Sequence, residues 1–427
     1  MRHWKRLGIF ALLGVLLSWL ISCSSAPNSS ESSESGTQEV EFWTMQLQPQ
    51  FTDYFNQLIA EFEAENPDVT VRWVDVPWSD MQSKILTSVS AGTAPDVVNL
   101  NPDFASQLAS RNAWLELDDK VPTEAQAEYL PNIWKASSLN GKTFGLPWYL
   151  TTSVTIYNKD LLEQAGLSEP PTTYEELAIA AKQIKEATGK YAFFTTFVPE
   201  DSADLLHSFI QMGVPLVNED GSAAFNTPDG KAVFQYWTDL FEAELLPREV
   251  LTQGHRRAIE LYQAGETAIV STSPQFLDTI ANNAPSIAQV SETAPQITGD
   301  TGAKNVAAMN VVIPQSTDQP EAALAFALFV TNPDNQLTFA KAANVLPSTV
   351  SSLSDSYFAD LPDAPEPGDR ARIVSAAQMA DADVLVPAME DVKELQKIIY
   401  NNLQAAMLGQ KTVDEAIADA EQEWNQR

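Results

Sequence analysis

The chain has 427 residues, with 25 lysines and arginines against 57 aspartates and glutamates, and a formal net charge of −32. Such an acidic surface repels phosphate backbones, which argues against nucleic acid as a partner. The length exceeds the usual size of one compact core, so we expect two domains.

The N-terminus has the pattern of an exported lipoprotein. Basic residues precede an apolar run from Leu7 to Ile21, about the length of a signal-peptide core and short for a membrane span. The run ends in Leu20-Ile21-Ser22-Cys23, which resembles a lipobox, so we predict a signal peptide over 1–22 and an acylated Cys23. Residues 23–37 are then the lipidated cysteine and a flexible Ser-rich tether. Cys23 is the only cysteine in the sequence, which excludes a disulfide framework.

From Glu39 onward, short β-branched runs alternate with longer amphipathic runs, a pattern typical of an α/β fold. The first such segments predict strands over 40–43, 69–74 and 97–100, with helices over 51–65 and from 80 to 92 between them. This order predicts a βαβαβ unit with a parallel sheet.

Several later helices carry start signals. Thr172 with Glu175, and Thr412 with Glu415, have the spacing of capping boxes. Thr227-Pro228 predicts a helix start with proline in the first turn, and residues 218–221 predict a turn.

The sequence offers few groups for catalysis. After signal cleavage only His207 and His255 remain, far apart in sequence, with no second cysteine and no His-Glu-x-x-His. Zinc chemistry and cysteine or histidine-relayed nucleophilic catalysis are therefore disfavoured. Gly141-Lys142-Thr143 resembles the end of a phosphate-binding loop, but Ala136 stands where its first glycine is required, so Asn140-Gly141 is predicted to be a turn. We predict no catalytic residue and no cofactor, although paired carboxylates for glycoside cleavage stay open.

A series of motifs carries a family resemblance. The most specific are Gly145-Leu146-Pro147-Trp148-Tyr149, the segment Ile156 to Leu162, and Pro170 to Leu177. Residues 94–98, 265–269 and 409–416 follow in the same order. Together they resemble the extracellular solute-binding proteins of carbohydrate ABC importers, the group that includes the maltose-binding protein, over nearly all of residues 39–427.

The resemblance implies a two-lobed periplasmic-binding-protein fold of the α/β class. Each lobe is expected to be a mainly parallel sheet flanked by helices, and the chain is expected to cross between lobes near 147–152, 303–310 and 346–351. Lobe one would comprise 38–147 plus 310–347, and lobe two 148–309 plus 348–427. A ligand between the lobes favours the closed form, because both walls contact it only there.

A sugar site needs flat aromatic walls with polar side chains at their edges, and ligands of open α/β sheets gather at the carboxyl ends of strands. Strand ends and the resemblance together give these candidate ligand contacts: Trp43, Thr44, Gln46, Trp78, Asn101, Asp103, Trp148, Tyr149, Phe197, Ser273, Gln275, Asn310 and Glu390. Trp43 and Trp78 could instead be packing residues, and Asp103 a helix N-cap. Relatives often carry an aromatic residue where this chain has Gln275, so one stacking platform is expected to be missing and the ligand to be smaller than a long oligosaccharide.

The leading hypothesis is a monomeric lipoprotein on the periplasmic side of the membrane. It would deliver a neutral sugar or sugar-derived polyol, for example a compatible solute such as glucosylglycerol, to ABC permease subunits. The alternatives are a periplasmic enzyme acting on glycans, a sensory receptor with the same fold, and a glycerol-phosphate binder using Arg370 or Arg372.

Overall fold

The computed structural model describes residues 37–199, 201–386, 388–389 and 391–427. The predicted signal peptide, Cys23 and most of the tether lie outside the described residues.

Strands and helices alternate along the described chain. The strands are β1 (Gln38–Met45), β2 (Val69–Val76), β3 (Val97–Leu100), β4 (Ser138–Leu139), β5 (Lys142–Thr143), β6 (Leu146–Thr152), β7 (Val154–Asn158), β8 (Ile269–Thr272), β9 (Ser291–Ala294), β10 (Lys304–Val312), β11 (Leu346–Pro347) and β12 (Ala382–Asp383). The helices are α1 (Thr52–Glu65), α2 (Trp78–Ala91), α3 (Pro102–Ala109), α4 (Thr123–Glu128), α5 (Pro131–Ala136), α6 (Lys159–Gln164), α7 (Tyr174–Thr188), α8 (Asp204–Gln211), α9 (Pro228–Glu242), α10 (His255–Gln263), α11 (Phe276–Asn283), α12 (Pro285–Ala288), α13 (Pro320–Val330), α14 (Pro333–Ala343), α15 (Val350–Leu353), α16 (Pro367–Gln378), α17 (Val392–Met407) and α18 (Val413–Asn425), with 3₁₀ turns at Arg248–Leu251 and Ser356–Phe358. Among these helices, none is both long and apolar enough to cross a membrane.

The first sheet has the strand order β11-β6-β10-β3-β1-β2. Strand β1 pairs in parallel with β2 on one side and β3 on the other, which confirms the predicted βαβαβ unit. Helix α1 covers this sheet with Phe55, Leu58 and Phe62, whose three- and four-residue spacing puts them on one face. Strands β10, β6 and β11 pair antiparallel, and β12 joins the sheet by pairing in parallel with the start of β10.

The second sheet, of order β8-β7-β9, is antiparallel throughout, so the prediction of a mainly parallel sheet in each lobe is wrong here. In sequence, a strand followed by helices is typical of a crossover between parallel strands. In the structure, however, the strands that pair with β7, which are β8 and β9, both run antiparallel to it. The parallel pairings in this lobe include two isolated bridges, Thr173 with Thr298 and Tyr191 with Thr267.

Two separate hydrophobic cores confirm the two-lobed α/β architecture. The first core gathers β1 to β3, α1, α13 and α14, and the second gathers β7, β8, α7 to α9 and α17. We call the parts of the chain packed around them lobe one and lobe two. Strands β6 and β10 connect the lobes, and so does helix α16. Ala371 of α16 is part of the second core, whereas Met379, the residue after the end of α16, is part of the first core.

The lobe boundaries differ from the predicted ones. Trp148, Tyr149 and Met309, predicted in lobe two, are part of the first core. Phe358 also lies in the first core, so the third crossing comes after it and not at 346–351. Apolar side chains of the crossing strands pack on lobe one before the chain leaves it, which the sequence pattern does not reveal.

The helix start signals are confirmed with one shift of register. Thr412 and Glu415 form a capping box on α18, and Thr227 caps α9 ahead of Pro228. At α7 the cap is Thr173, which accepts from the Glu176 amide at 3.2 Å, and not Thr172 with Glu175. The sequence has two threonines before two glutamates, so both registers have the same spacing.

The Asn140-Gly141 segment is the turn of the β4–β5 hairpin. Both residues have positive φ angles, 53° and 76°, as expected for a tight hairpin turn. The structure therefore agrees with the prediction of a turn and not with that of a phosphate-binding loop.

Candidate functional site

A cleft of about 770 Å³ lies between the two lobes. The lining residues from lobe one are Met45, Gln46, Leu47, Gln50, Phe51, Trp78, Tyr149, Met309, Phe339, Ala342, Ala343, Asn344 and Val345. Those from lobe two are Ser273, Gln275, Phe276, Asp278 and Thr279. Thr151 lies on the crossing strand between the lobes. A groove of about 660 Å³ on lobe one, around Trp114 and Lys142, has no lining residue from lobe two. Only a ligand that contacts both lobes can favour their closure, so the interlobe cleft is the candidate site.

The ends of the first two strands form one lip of this cleft. Because β1 and β2 are parallel, their carboxyl ends meet at the same edge of the sheet. Gln46 leaves β1 with a positive φ of 54°, and its side-chain oxygen accepts from the backbone amide of Trp78 at 3.3 Å. The indole of Trp78, at the start of α2, is 46% exposed. The lip thus presents a flat apolar surface beside an amide, as a sugar ring requires.

Aromatic rings form the lobe-one wall below this lip. Tyr149 and Phe51 both pack against Phe339, with ring centroids 5.3 Å and 5.4 Å apart. Burial raises the pKa of the Tyr149 phenol well above its ordinary value, so its hydroxyl stays protonated and can donate a hydrogen bond.

The lobe-two wall comes from the end of β8 and the start of α11. Ser273, Gln275 and Asp278 bring polar groups to the cleft, and Phe276 lines it beside them. An aromatic ring is therefore present one position after Gln275, and it also packs on the second core. The sequence analysis did not consider Phe276, because relatives often carry their aromatic residue at the position that Gln275 occupies.

Three predicted aromatic contacts lie in the cores instead. Trp43 is 5% exposed, and its Nε1 donates to the Glu41 carboxylate at 2.6 Å. Trp148 is fully buried and stacks on Phe339, with ring centroids 4.7 Å apart. Phe197 packs against Trp237 in lobe two. The structure gives these three side chains packing partners and does not bring them to the cleft.

Two predicted polar contacts are also buried. The Thr44 hydroxyl donates to Asp75 at 2.6 Å, and the Asn310 side chain accepts from Ser137 at 2.6 Å. Asn310 lies at a register shift of β10 against β6, where its amide also donates to the Ala308 carbonyl. Their hydrogen bonds serve the fold, because no atom of either residue lines the cleft.

Asn101 and Asp103 lie at the start of α3. Asn101 is the N-cap, accepting from the Phe104 amide at 2.8 Å, so the capping role considered for Asp103 belongs to Asn101. Asp103 pairs with Lys393 of α17 at 2.8 Å, and this ion pair joins lobe one to lobe two. Glu390 lies outside the described residues.

Arg370 and Arg372 are both engaged within the protein. Arg372 is 8% exposed, donates to the Tyr357 carbonyl at 2.7 Å and pairs with Asp369 at 2.6 Å. Arg370 lies 3.5 Å from Glu292. A phosphate at either guanidinium would have to displace these partners, so the geometry does not favour a phosphate site.

The sequence reasoning missed a group of cleft residues that lie in helices or directly at helix ends, and not at strand ends: Phe51, Phe276, Phe339 and Asn344. Asn344 has a positive φ of 51° just after α14, and an asparagine after a helical pattern is a recognisable helix-end signal. Nothing in the local pattern of the three phenylalanines separates a cleft position from a core position.

The fold and cleft define a class of protein, a two-lobed α/β protein that holds a small solute between its lobes. A sequence model of the bacterial extracellular solute-binding protein family matches residues 48–337, and the chain belongs to this family.

Solved and curated relatives agree with this membership. One solved relative is a protein of Synechococcus sp. MITs9220 that is provisionally described as an oligosaccharide periplasmic-binding protein and was crystallised with and without zinc. It is 45% identical to this chain, and the TM-score is 0.85, with 91% of this chain and 98% of that one covered. The mannitol-binding protein of Pseudomonas aeruginosa is 25% identical over 86% of this chain and 88% of its own length. The arabinooligosaccharide-binding protein of Halalkalibacterium halodurans is 25% identical over 68% of this chain and 66% of its own. The family and these relatives are binding proteins and not enzymes. In the described part of this chain, no cluster of three or more His, Cys, Asp or Glu side chains is placed to hold a metal ion.

Proposed function

We propose that this protein binds a neutral sugar or sugar-derived polyol in the interlobe cleft and delivers it, as a monomer, to the permease of an ABC importer. The observation that carries the proposal is the lining of the cleft, where aromatic rings of both lobes lie beside amides and hydroxyls and one carboxylate, that of Asp278. Rings of this kind cover the C–H faces of a sugar, and amides and hydroxyls bind its hydroxyl groups.

The size of the cleft and its relatives support the same ligand class. A cleft of about 770 Å³ lies within the range of small-molecule sites, roughly 300–1,000 Å³. The names of these relatives refer to an oligosaccharide, to arabinooligosaccharides and to mannitol, all of them rich in hydroxyl groups. A compatible solute such as glucosylglycerol belongs to this ligand class as well.

A thermal-shift screen tests the proposal. The purified protein is heated with D-glucose, maltose, D-mannitol, glucosylglycerol, glycerol phosphate and amino acids in separate samples. A ligand at a hundredfold excess over its Kd stabilises the folded state by about 2.7 kcal/mol, which moves the melting temperature visibly. We expect a shift with at least one neutral sugar or polyol and no product by mass spectrometry. A shift with glycerol phosphate or an amino acid alone would refute the proposed ligand class.

We further propose that acyl chains on Cys23 hold the exported protein at the membrane. The support is the lipobox-like Leu20-Ile21-Ser22-Cys23 at the end of an apolar run. The variant Cys23→Ala is expected to move the protein from the membrane pellet to the soluble fraction, because the acylated residue is lost. The variant Ser24→Ala should stay in the pellet. An unchanged distribution of Cys23→Ala would rule out this anchor.

A further inference from the structure

A smaller cavity of about 100 Å³, which we call the lobe-two cavity, lies inside lobe two beside the interlobe cleft. Its aromatic lining consists of Tyr174, Phe193, Phe194 and Trp237. Asp204, His207 and His255 also line it, so the fold brings together the two histidines that are far apart in sequence. Aromatic rings next to hydrogen-bonding groups form the kind of surface that hydroxylated ligands need.

The lobe-two cavity continues the wall of the interlobe cleft. Thr151 and Ser273 line the cleft, whereas Ser153 and Ser271, each two residues away along the chain, line the cavity. Two residues of extended chain span roughly 6.6 Å. The ring of His255 also packs against cleft residue Phe276, with centroids 6.4 Å apart. The two spaces therefore adjoin along one wall of lobe two.

Asp204 presents a carboxylate oxygen to this cavity. Its Oδ2 accepts from the Ser202 hydroxyl at 2.9 Å. Oδ1 lies 3.8 Å from Nδ1 of His207, beyond hydrogen-bond distance, and it accepts no hydrogen bond from the residues that the structure describes. The Asp204 side chain is 46% exposed, which leaves Oδ1 able to accept from a ligand.

The carboxylate is held in a fixed position. The Ser202 carbonyl accepts from Gln396 at 2.7 Å and from the buried Tyr400 hydroxyl at 2.5 Å, both on α17. The Tyr400 oxygen in turn accepts from the amide of Leu205 at 3.1 Å. Because the residues on both sides of Asp204 are anchored to α17, a ligand need not order this segment when it binds.

Asp204 is ionised at any physiological pH. Desolvation raises the pKa of Asp204. The contact with His207, the charges of His255 and His207 and the hydrogen bond from Ser202 lower the pKa by more than desolvation raises it, to about 2. An ionised carboxylate accepts hydrogen bonds and cannot donate them. It therefore binds hydroxyl groups and repels an anionic group at the same place.

We propose that the lobe-two cavity is a subsite that binds one hydroxyl-bearing end of an uncharged ligand through Oδ1 of Asp204, while the rest of the ligand lies in the interlobe cleft. The inference rests on the proposed function and adds a specificity-determining residue to it. The cavity, at about 100 Å³, is much smaller than the interlobe cleft of about 770 Å³, so the cleft takes the larger part of the ligand.

The test compares Asp204→Asn with Asp229→Asn. Asp229 is exposed in the first turn of α9 and does not line the cavity, so it is a matched control for the same substitution near a helix start. Kd is measured by titration calorimetry on the full chain for each of D-glucose, maltose, D-mannitol and glucosylglycerol that binds wild type. We expect Asp204→Asn to raise Kd about 10- to 100-fold, the loss typical of a hydrogen bond to a charged group, and Asp229→Asn to leave it unchanged.

Two further probes separate recognition from a structural role of Asp204. Wild type should bind one of the monodeoxy analogues of the bound probe about 10- to 100-fold more weakly than the probe itself, and Asp204→Asn should bind that analogue and the probe almost equally. D-glucuronate should bind Asp204→Asn more tightly than it binds wild type, because the repelling charge is gone. The deoxy measurement on wild type can still refute the subsite if Asp204→Asn does not fold.

The outcomes distinguish the subsite from the proposed function. If a neutral probe binds wild type and Asp204→Asn with equal Kd, or if every monodeoxy analogue binds wild type as well as the probe does, the subsite is refuted and the receptor function stands. If no neutral probe binds wild type at all, the proposed function fails and the subsite fails with it.

Discussion

The variant Trp148→Ala is expected to lower the free energy of unfolding by about 3–5 kcal/mol, the range for truncating a buried tryptophan. Trp148 is fully buried in lobe one and stacks on Phe339 at 4.7 Å. Its removal leaves a cavity behind the aromatic wall of the cleft, and chemical denaturation of the variant measures the loss.

The control for this prediction is Trp148→Phe. Nε1 of Trp148 is buried and has no hydrogen-bond partner among the described residues, so phenylalanine removes an unsatisfied donor while it keeps the stacking. We expect a smaller loss than for alanine. If Trp148→Ala unfolds like wild type yet loses its ligand, Trp148 is a ligand contact, as the sequence predicted, and its place in the core is wrong.

The variant Trp78→Ala is expected to weaken ligand binding by about 10- to 30-fold and to change the free energy of unfolding by less than about 0.5 kcal/mol. Its indole is 46% exposed at the lip of the cleft, so little core packing is lost with it. The affinity should fall because a flat apolar surface is removed from the site. Calorimetric titration with the probe found in the thermal-shift screen measures the affinity, and denaturation measures the stability.

Two control variants accompany the Trp78→Ala prediction. Trp78→Tyr keeps a flat ring and should retain most of the affinity. Leu408→Ala removes an exposed apolar side chain, 49% exposed, from the end of α17 and should leave the affinity unchanged. Wild-type affinity in Trp78→Ala would show that the ligand does not contact this lip.

The parts of the fold that local patterns determine were predictable from the sequence. The βαβαβ unit follows from periodicity within short segments, and the capping box at Thr412 from a four-residue motif. The antiparallel pairing of β7 with β8 was not predictable in this way, because more than a hundred residues separate the two strands in sequence. No local pattern records the direction in which so distant a strand returns.

The candidate site was predictable to the extent that strand ends identify it. Gln46 and Trp78 follow parallel strands, and both line the cleft. Trp148 and Tyr149 are adjacent on β6, a strand buried on both faces, so alternation does not tell which of them faces the cleft. Asp204 and His255 come from helices distant in sequence, and only the packing of lobe two brings them to one cavity.

The strands that connect the lobes have a consequence for the speed of solute exchange. Strands β6 and β10 pair with each other up to Thr152 and Val306, so two of the connections leave lobe one as a hydrogen-bonded ribbon, beside the third connection through α16. Twisting such a ribbon changes the angle between the lobes without breaking a backbone hydrogen bond. The barrier to opening then arises from the contacts that the two lobes make with each other and with the solute. We expect the residence time of a bound solute to be set by these contacts at the cleft.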